Sequence, residues 1–371
     1  MKIGIITFHA ADNYGAVLQA YCLQEIVKSI GHEVKIINYA KPSQIDADAL
    51  YPIHNGAKRL IKRLLMLPHH FNRKRRAFGF RLFRARYLDL TMWYSDSANL
   101  VELQKKFEAF VAGSDQIWNT TKEVDKSDAY FLAFAEEQNR KIAYAASIGE
   151  ATESDLSGSA SLMKHFDFIS TREKRGSKVI GDITGAVIPV VLDPTLLIDR
   201  KVLLSISRKY PLKNRQYILY YTMDGFDKRK DNTDLLKRIS YAYQLPVFVI
   251  SPEWRKKGFQ AILDADPCEF LWLIQKASLV CTNSFHGTAL SIAFEKDFFV
   301  LEKYNGKDDR KKTTLSKLGL LSRMISDVSE IEEKCKEKIN YTHVNQLLKK
   351  ERKISMDFLK RALGERNLAD E

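Results

Sequence analysis

The 371-residue chain is predicted to be an α/β protein made of two Rossmann-like, doubly wound domains that face a cleft. The chain is too long for one ordinary hydrophobic core. Short apolar, β-rich runs alternate with segments of helical periodicity, which is the pattern of parallel βαβ units. Polar residues follow eight of the predicted strands, and open α/β sheets bind ligands at that edge.

The N-terminal domain is assigned to residues 1–200. It begins with the strand KIGIIT, the helix GAVLQAYCLQEIVKSI, which ends at Gly31, and the strand EVKIIN. A basic helical insertion occupies residues 50–90. Three strands follow it, FEAFVAG, KIAYAAS and FDFIS, and the segment VLDPTLLI closes this half.

The C-terminal domain is assigned to residues 201–345. It opens with the strand YILYYTM, a helix over about 231–243 and the strand PVFVIS. The helix EFLWLIQKA then leads to the strand SLVCT, the helix GTALSIAF and the strand FFVLE. The segment from Tyr341 to Glu371 is predicted to be helical and charged, and its part over 346–371 is assigned as a tail that is expected to return to the N-terminal domain.

The polar run TNSFHG separates the strand SLVCT from the helix that follows it, with the helix predicted to start near Gly287. Helix N-termini at the carboxyl edge of a parallel sheet offer free N–H groups to anions. A lone histidine there would suggest a helix cap or a loop filler. His286 stands beside Asn283 and Ser284 at a strand end, and this combination favours a functional site.

The net charge of +13 is concentrated in one segment. Residues 58–86 carry eleven Lys and Arg and no acid. The segment is predicted to form a first helix over 58–65 that ends before Pro68, and a second helix with an apolar stripe. The first helix has Leu60, Ile61, Leu64 and Leu65 on one face, and the stripe of the second consists of Phe78, Leu82, Phe83 and Tyr87. Two interpretations carry equal weight: a surface that binds an anionic membrane, or a helical lid whose apolar stripe packs on the domain. No known nucleic-acid-binding motif accompanies the charge, so no nucleic-acid partner is expected.

Other features place the protein in the cytoplasm. No apolar run is long enough to cross a bilayer, and the N-terminus turns polar too early for a secretory signal. The four cysteines are scattered without metal-type spacing, which suits a reducing compartment. No paired carboxylates with metal-ligand spacing are found, so neither a metal nor another cofactor is expected.

Six ordered motifs give the chain a family resemblance: DNYGAVLQAYCLQ, VAGSDQIWN, YAASIG, ISTREKRG, VLDPTLL and TNSFHGTALSIAFEKDFF. From the N-terminus to about Arg323 the sequence resembles the polysaccharide pyruvyl transferase family. The resemblance implies a fold similar to the two-domain GT-B glycosyltransferases. It also implies transfer of the pyruvyl group of phosphoenolpyruvate to two hydroxyls of a sugar, giving a cyclic ketal on a bacterial surface polysaccharide.

The resemblance assigns catalytic roles to His286 and Arg172, which match the functional His and Arg of the family motifs. Histidine suits proton transfer near neutral pH, and arginine suits a carboxylate or a phosphate. Some branches of the family carry Arg where this chain has Ser284. The anion contact is therefore expected from other groups, namely Lys174, Lys303, Arg310, Asn283, Ser284 itself and the helix start at Gly287. Capping of the helix is an equally weighted role for Asn283 and Ser284.

Two weaker motifs complete the predicted site. Asn13 and Tyr14 precede the first helix and are candidates for contact with the sugar. Ser114, Asp115 and Gln116 follow a strand, and Asp115 is a candidate second general base or a ligand of a sugar hydroxyl. Tying down a loop is an alternative role of comparable weight for Asp115.

The resemblance also implies a lipid-linked oligosaccharide as the acceptor, so the enzyme is expected to work at the inner face of the membrane as a peripheral protein. The alternative function is that of a GT-B glycosyltransferase that uses a nucleotide sugar. Such an enzyme needs a carboxylate for the ribose at a strand end of the second half, where Glu253 and Glu302 are the candidates.

Overall fold

The structure is a computed structural model that describes residues 1–41, 70–121, 127–213, 216–223, 232–251, 258–302 and 309–364. Two sheets, all of whose strand pairs are parallel, confirm the prediction of two doubly wound α/β domains. The first sheet has the order β2-β1-β3-β4-β5, with β1 Lys2–Ile6, β2 Glu33–Ile36, β3 Ala109–Ala112, β4 Arg140–Ala146 and β5 Phe168–Thr171. The second has the order β11-β10-β9-β6-β7-β8, with β6 Ile218–Tyr221, β7 Val247–Ile250, β8 Gln260–Ala261, β9 Leu279–Thr282, β10 Phe298–Leu301 and β11 Met324–Ile325.

Helices cover the faces of both sheets. In chain order the described α-helices are α1 Tyr14–Ser29, α2 His70–Tyr87, α3 Glu153–Leu156, α4 Ala160–Lys164, α5 Lys174–Thr184, α6 Pro194–Leu197, α7 Arg200–Ile206, α8 Thr233–Tyr243, α9 Pro267–Lys276, α10 Phe285–Ala293, α11 Asp309–Lys317, α12 Ile331–Lys334 and α13 Tyr341–Ala362. Shorter 3-10 segments cover Ser97–Leu103, Asp128–Phe131, Ser157–Ser159, Leu321–Arg323 and Val328–Glu330. Within the described part of the chain, no helix is both long and apolar enough to span a membrane.

Local chemistry explains where the central helices start and stop. The Asn13 side chain accepts from the N–H groups at the start of α1, and the left-handed Gly31 follows the end of that helix. A capping box between Asp266 and Glu269, with Pro267 in the first turn, starts α9. These caps fix the ends of the two helices that meet at the domain interface.

Helix α10 begins earlier than predicted. Its N-cap is Ser284 and its first residue is Phe285, so the helix starts two residues before Gly287. His286 therefore lies in the first helical turn and not in the preceding loop. The early start follows from the Ser284 side chain, which takes the cap position that the sequence analysis had left open.

The two domains share one hydrophobic core. Its buried residues come from both sheets and from α1, α6, α9 and α10, whereas a second cluster belongs to the first domain and a third to the second domain. Tyr14 joins the domains most directly, because its ring stacks on Phe270 with 4.2 Å between centroids and its hydroxyl donates to the Ala265 carbonyl at 2.6 Å. The interface is thus a continuation of the core.

The predicted apolar stripe on the second helix of the basic segment is wrong in part. In α2 the buried aromatic residues are Phe80 and Phe83, whereas Phe78 and Leu82 are each 50% exposed. Helical periodicity gave the correct spacing, but it could not show which side of the helix meets the protein. The first predicted helix of this segment, over 58–65, lies outside the described residues.

Helix α13 crosses from one domain to the other. Near its start, the Tyr341 hydroxyl donates to the Lys296 carbonyl in the C-terminal domain at 2.5 Å. Near its end, Ser355 Oγ accepts from the Leu192 N–H at 2.8 Å, and Phe358 packs beside Tyr144 in the N-terminal domain. The helix starts at Tyr341, as the sequence predicts.

Candidate active site

The carboxyl ends of β3 and β5 bring together the polar residues that follow them. Ser114 and Asp115 follow β3, Arg172 follows β5, and all three are buried. Asp115 adopts a φ of 73°, in the left-handed region. Non-glycine residues rarely adopt this conformation, and such exceptions concentrate at functional sites.

Arg172 is 1% exposed and is held by two carboxylates. Its Nη1 donates to Asp193 Oδ2 at 2.6 Å and its Nη2 donates to Asp115 Oδ1 at 2.8 Å. The guanidinium carbon lies 4.5 Å from the ring centroid of Phe285, in cation–π contact. The alternative role that the sequence allows for Arg172 is a salt bridge between the domains. The two ion pairs of Arg172 instead lie within the first domain. A substrate carboxylate or phosphate could take the place of Asp115 or Asp193 on Arg172 only if that ion pair opened.

Asp193 is the principal site residue that the sequence analysis missed. Its side chain is fully buried and caps α6, with Oδ1 accepting from the N–H of Thr195 at 3.0 Å. Burial would raise the pKa of Asp193, but the charges of His286 and Arg172 and the Thr195 N–H hold it well below its usual range. An Asp before Pro is typical of a helix N-cap, so the motif VLDPTLL predicts a capping role for Asp193 but indicates no role in a functional site.

His286 is buried where α10 meets α1 of the other domain. Its Nε2 lies 3.6 Å from Asp193 Oδ2, which is longer than a hydrogen bond. A Cβ added to Gly15 would lie 2.1 Å from His286 Nδ1. The glycine of DNYG therefore allows α1 to pack directly on the imidazole, which gives that motif a physical role.

Two further charged groups border the site. The guanidinium carbon of Arg310 lies 5.8 Å from the ring centroid of Phe285. Arg310 Nη1 donates to the side-chain oxygen of Gln116 at 2.8 Å. Glu173 is buried and accepts from the Ile148 N–H at 2.9 Å.

The pKa values of the two remaining carboxyl groups are shifted in opposite directions, although burial acts to raise both. Burial raises the pKa of Glu173, and the nearby guanidinium groups of Arg172 and Arg310 reduce this shift without reversing it. Burial would also raise the pKa of Asp115, but the charges of Arg172, His286 and Arg310 outweigh it and lower that pKa. The site therefore holds carboxyl groups with opposite shifts within one cluster, a feature that is frequent in active sites.

Three buried polar atoms at this point lack a hydrogen-bond partner among the residues that the structure describes. They are Nε of Arg172, Oε2 of Glu173 and Nε2 of His286. Buried polar groups are nearly always paired, so a cluster of such atoms requires an explanation. Nε2 of His286 faces Asp193 Oδ2 at 3.6 Å. A bound ligand or ordered water would satisfy the arginine and glutamate atoms, and this supports a binding site beside them.

Other predicted residues have structural contacts. The Asn13 side chain caps α1, and the buried Tyr14 side chain connects the domains. Asn283 Oδ1 accepts from the Met223 N–H at 3.2 Å. A Cβ on Gly287 would lie 2.3 Å from Thr282 Oγ1, so this glycine permits close packing of α10 on β9.

Of the two predicted lysines, the structure describes Lys174, which does not join the buried cluster. The Lys174 side chain is exposed, and its backbone N–H donates to Thr313 Oγ1 of α11 at 3.2 Å. Lys303 lies outside the described residues. In the described part of the chain, no group of three or more His, Cys, Asp or Glu is placed to hold a metal ion.

Solved structures with the same fold include two epimerases. UDP-GlcNAc 2-epimerase from Neisseria meningitidis, bound to UDP-GlcNAc, is 9% identical with a TM-score of 0.54, covering 99% of this chain and 100% of that one. UDP-N-acetylglucosamine 2-epimerase from Rickettsia bellii is 9% identical with a TM-score of 0.53, covering 97% of this chain and 98% of that one. At this identity the likeness concerns the fold alone. No curated protein sequence matches the chain.

Two parallel α/β domains with a charged site at their interface define a GT-B-like protein. The sequence profile of one family, polysaccharide pyruvyl transferase, matches residues 13–302. This match covers most of the chain and includes the six motifs described above, except for Asp12, the first residue of the first motif. The protein belongs to the polysaccharide pyruvyl transferase family.

Proposed function

We propose that the protein transfers the pyruvyl group of phosphoenolpyruvate to two hydroxyls of a sugar, forming a cyclic ketal and releasing phosphate. The observation that carries the proposal is His286, which α10 of the second domain inserts between Asp193 and Gly15 of the first. Family membership supplies the class of reaction. The donor, the ketal and the acceptor are part of the proposal.

The proposed chemistry requires a group that gives and takes protons. A proton is delivered to the methylene carbon of the enol ester, which leaves a cation-like carbon for attack by the first sugar hydroxyl. That hydroxyl loses its proton as it attacks, and the C–O bond to phosphate then breaks. The second hydroxyl closes the ring, and its proton leaves with the phosphate. His286 suits the first two proton transfers, to the methylene carbon and from the first hydroxyl, because imidazole exchanges protons near neutral pH.

The donor carries a carboxylate and a phosphate, so it also needs cations and N–H groups. The N-terminus of α10 offers N–H groups at the carboxyl end of β9, where anions bind in open α/β sheets. Arg310 lies beside the same Phe285 ring as Arg172, with its guanidinium carbon 5.8 Å from the ring centroid. We assign donor binding to Arg310 and the start of α10. Together they would supply the contact that some branches of the family make with an Arg at the position of Ser284.

The test is incubation of the purified protein with phosphoenolpyruvate and a panel of aryl and lipid-linked glycosides, followed by mass spectrometry. The expected product is heavier than the acceptor by pyruvic acid less one water, and phosphate is released in equal amount. His286→Ala should lower turnover by about 100-fold or more while circular dichroism shows an unchanged fold. A product heavier by a hexose, obtained with a nucleotide sugar, would contradict the proposal, and near-normal turnover of His286→Ala would exclude its proton-transfer role.

The nucleotide-sugar alternative has less support in the second domain. Glu302, the carboxylate expected to hold a ribose, forms an ion pair with the buried Lys311. Lys311 Nζ also donates to the Asn283 carbonyl at 2.8 Å, which fixes the pair at the ends of β9 and β10. Glu253, the other candidate, lies outside the described residues.

We also propose that the acceptor is lipid-linked and that α2 contacts the anionic membrane surface that carries it. The outward face of α2 combines Phe71, 83% exposed, and the half-exposed Phe78 and Leu82 with the exposed cations Lys74 and Arg81. These residues recur every three or four positions, so they share one face of the helix. Aromatic and cationic side chains on one exposed face are typical of interfacial helices.

The cations on the inward face of α2 form ion pairs with the protein and are therefore not available to contact a membrane. Arg75 forms ion pairs with Asp264 at 3.0 Å and Glu269 at 2.6 Å in the second domain. Arg84 forms a two-pronged contact with Asp12 in the first. The contacts of the inward face match the lid interpretation of the basic segment, and the membrane proposal concerns the outward face alone.

A further inference from the structure

The two nitrogens of the His286 ring have different surroundings. Nε2 is enclosed, lies 3.6 Å from Asp193 Oδ2, and has no hydrogen-bond partner among the described residues. Nδ1 is on the side of Gly15, where a Cβ would come within 2.1 Å of it. The side chain is 8% exposed, and that exposure is not at Nε2, which is shut off from solvent.

Asp193 cannot turn away from Nε2, because both of its oxygens are held. Oδ1 accepts from the Thr195 N–H at 3.0 Å and from Thr195 Oγ1 at 2.7 Å. Oδ2 accepts from Ser114 Oγ at 3.0 Å and from Arg172 Nη1 at 2.6 Å. Four donors therefore fix a buried carboxylate with one oxygen directed at the imidazole.

A fixed, negatively charged oxygen beside one ring nitrogen favours a proton on that nitrogen. The gap of 3.6 Å exceeds a hydrogen bond by a few tenths of an ångström, and such contacts commonly tighten when substrate binds. Gly15 offers Nδ1 no competing side chain. These contacts select the tautomer protonated on Nε2.

We propose that Asp193 is a positioning residue that keeps the proton on Nε2 of His286, so that Nδ1 above Gly15 is the nitrogen that exchanges protons with the substrate. This assignment rests on the proposed function for its catalytic meaning. In that reaction, Nδ1–H of the imidazolium gives its proton to the methylene carbon of the donor. Nδ1 then takes the proton of the attacking hydroxyl, and Nε2 keeps its own proton throughout.

The test determines the tautomer of His286 in the absence of substrate. The ¹⁵N shifts of the ring nitrogens are measured in full-length protein labelled at its eight histidines, and His286 is assigned by the signal that His286→Gln removes. Above the pH at which the ring loses its second proton, the wild type should show a protonated Nε2 and an unprotonated Nδ1. Asp193→Asn should weaken this preference and lower kcat by about 100-fold with little change in KM.

Asp199→Asn is the matched control, because Asp199 also caps a helix through its side chain but has no contact with His286. It should leave the tautomer and kcat unchanged. A wild-type ring protonated on Nδ1, or an Asp193→Asn variant with the wild-type tautomer and kcat, would overturn the proposal. If Asp193→Asn does not fold, the wild-type spectrum alone decides. Failure of the proposed function would appear as wild type inactive with phosphoenolpyruvate, whereas the tautomer result does not depend on the donor.

Discussion

At the scale of single residues, Gly15 is the position where the smallest change should have a large effect. Gly15→Ala places a methyl group 2.1 Å from His286 Nδ1, so the imidazole or α1 must move. We expect transfer activity to fall by at least about 100-fold, because the imidazole that we propose as the proton-transferring group leaves its position. The loss should appear in kcat, measured with saturating donor and acceptor.

Gly158→Ala serves as the control for Gly15→Ala, since a Cβ at Gly158 meets nothing within 4 Å. This substitution should leave activity unchanged and alter the free energy of unfolding by no more than about 1 kcal/mol. A Gly15→Ala enzyme that turns over normally would show that the contact between α1 and the imidazole has no catalytic importance.

Arg172 makes a second prediction at this scale. Arg172→Ala leaves Asp115 and Asp193 buried without their shared cation, and this should lower the free energy of unfolding by about 3–5 kcal/mol at neutral pH. Arg200→Ala removes an exposed ion pair with Glu295 and should cost about 0–1 kcal/mol. Chemical denaturation measures both values. If Arg172→Ala keeps wild-type stability but binds phosphoenolpyruvate weakly, Arg172 binds the donor directly.

The pH dependence of the Arg172→Ala defect follows from the same two carboxyl groups. In the wild type, the pKa values of Asp115 and Asp193 are lowered in the folded state, against an ordinary value of 3.8. Their linked stability is present above pH 3.8 and is lost as the pH falls through the folded pKa values. The stability gap between wild type and variant should therefore be largest above that pH and shrink below it.

At the scale of secondary-structure elements, α2 is the helix whose two faces can be tested separately. Replacing Lys74 and Arg81 with Gln and Phe71 with Ser should reduce co-sedimentation with anionic vesicles. Each cation near such a surface contributes about 1 kcal/mol, and the exposed ring adds apolar contact. Activity on a short soluble glycoside should be retained, because the outward face does not touch the site.

The control for the α2 variant is the double variant Lys178→Gln and Lys336→Gln, which removes the same number of positive charges from exposed surfaces outside α2. It should sediment like the wild type at low and at high salt. If the wild type does not bind anionic vesicles even at low salt, α2 is a solvated lid and the membrane proposal fails.

The elements also show what the sequence could reveal. Strands such as Leu279–Thr282 are apolar runs buried on both faces, so composition alone located them. Asp193 was missed because its importance arises from His286, 93 positions away, and from Arg172, and no local pattern records such contacts. The orientation of α2 was missed for a related reason, since Phe78 and Phe80 are equally apolar and only tertiary packing distinguishes them.

At the scale of the whole molecule, α13 ties the two domains together and offers the last prediction. Phe358→Ala removes a buried ring that packs beside Tyr144 and Phe168, and this should lower the free energy of unfolding by about 3–5 kcal/mol. Ile354→Ala, at a half-exposed position of the same helix, should change it by about 0.5 kcal/mol or less. Thermal and denaturant unfolding check both. Equal losses in the two variants would mean that the end of α13 is not anchored on the first domain.

The position of His286 has a consequence for how activity first arises in each newly made molecule. The first half of the chain contains Asp115, Arg172 and Asp193, which contact one another without help from the second half. The imidazole arrives only with α10, from the other half. Either half produced separately should have no transfer activity. Mixing the two halves should restore turnover only if they associate. Turnover would then serve as a reporter of fragment reassembly, because it counts correctly joined molecules and ignores halves that have folded alone.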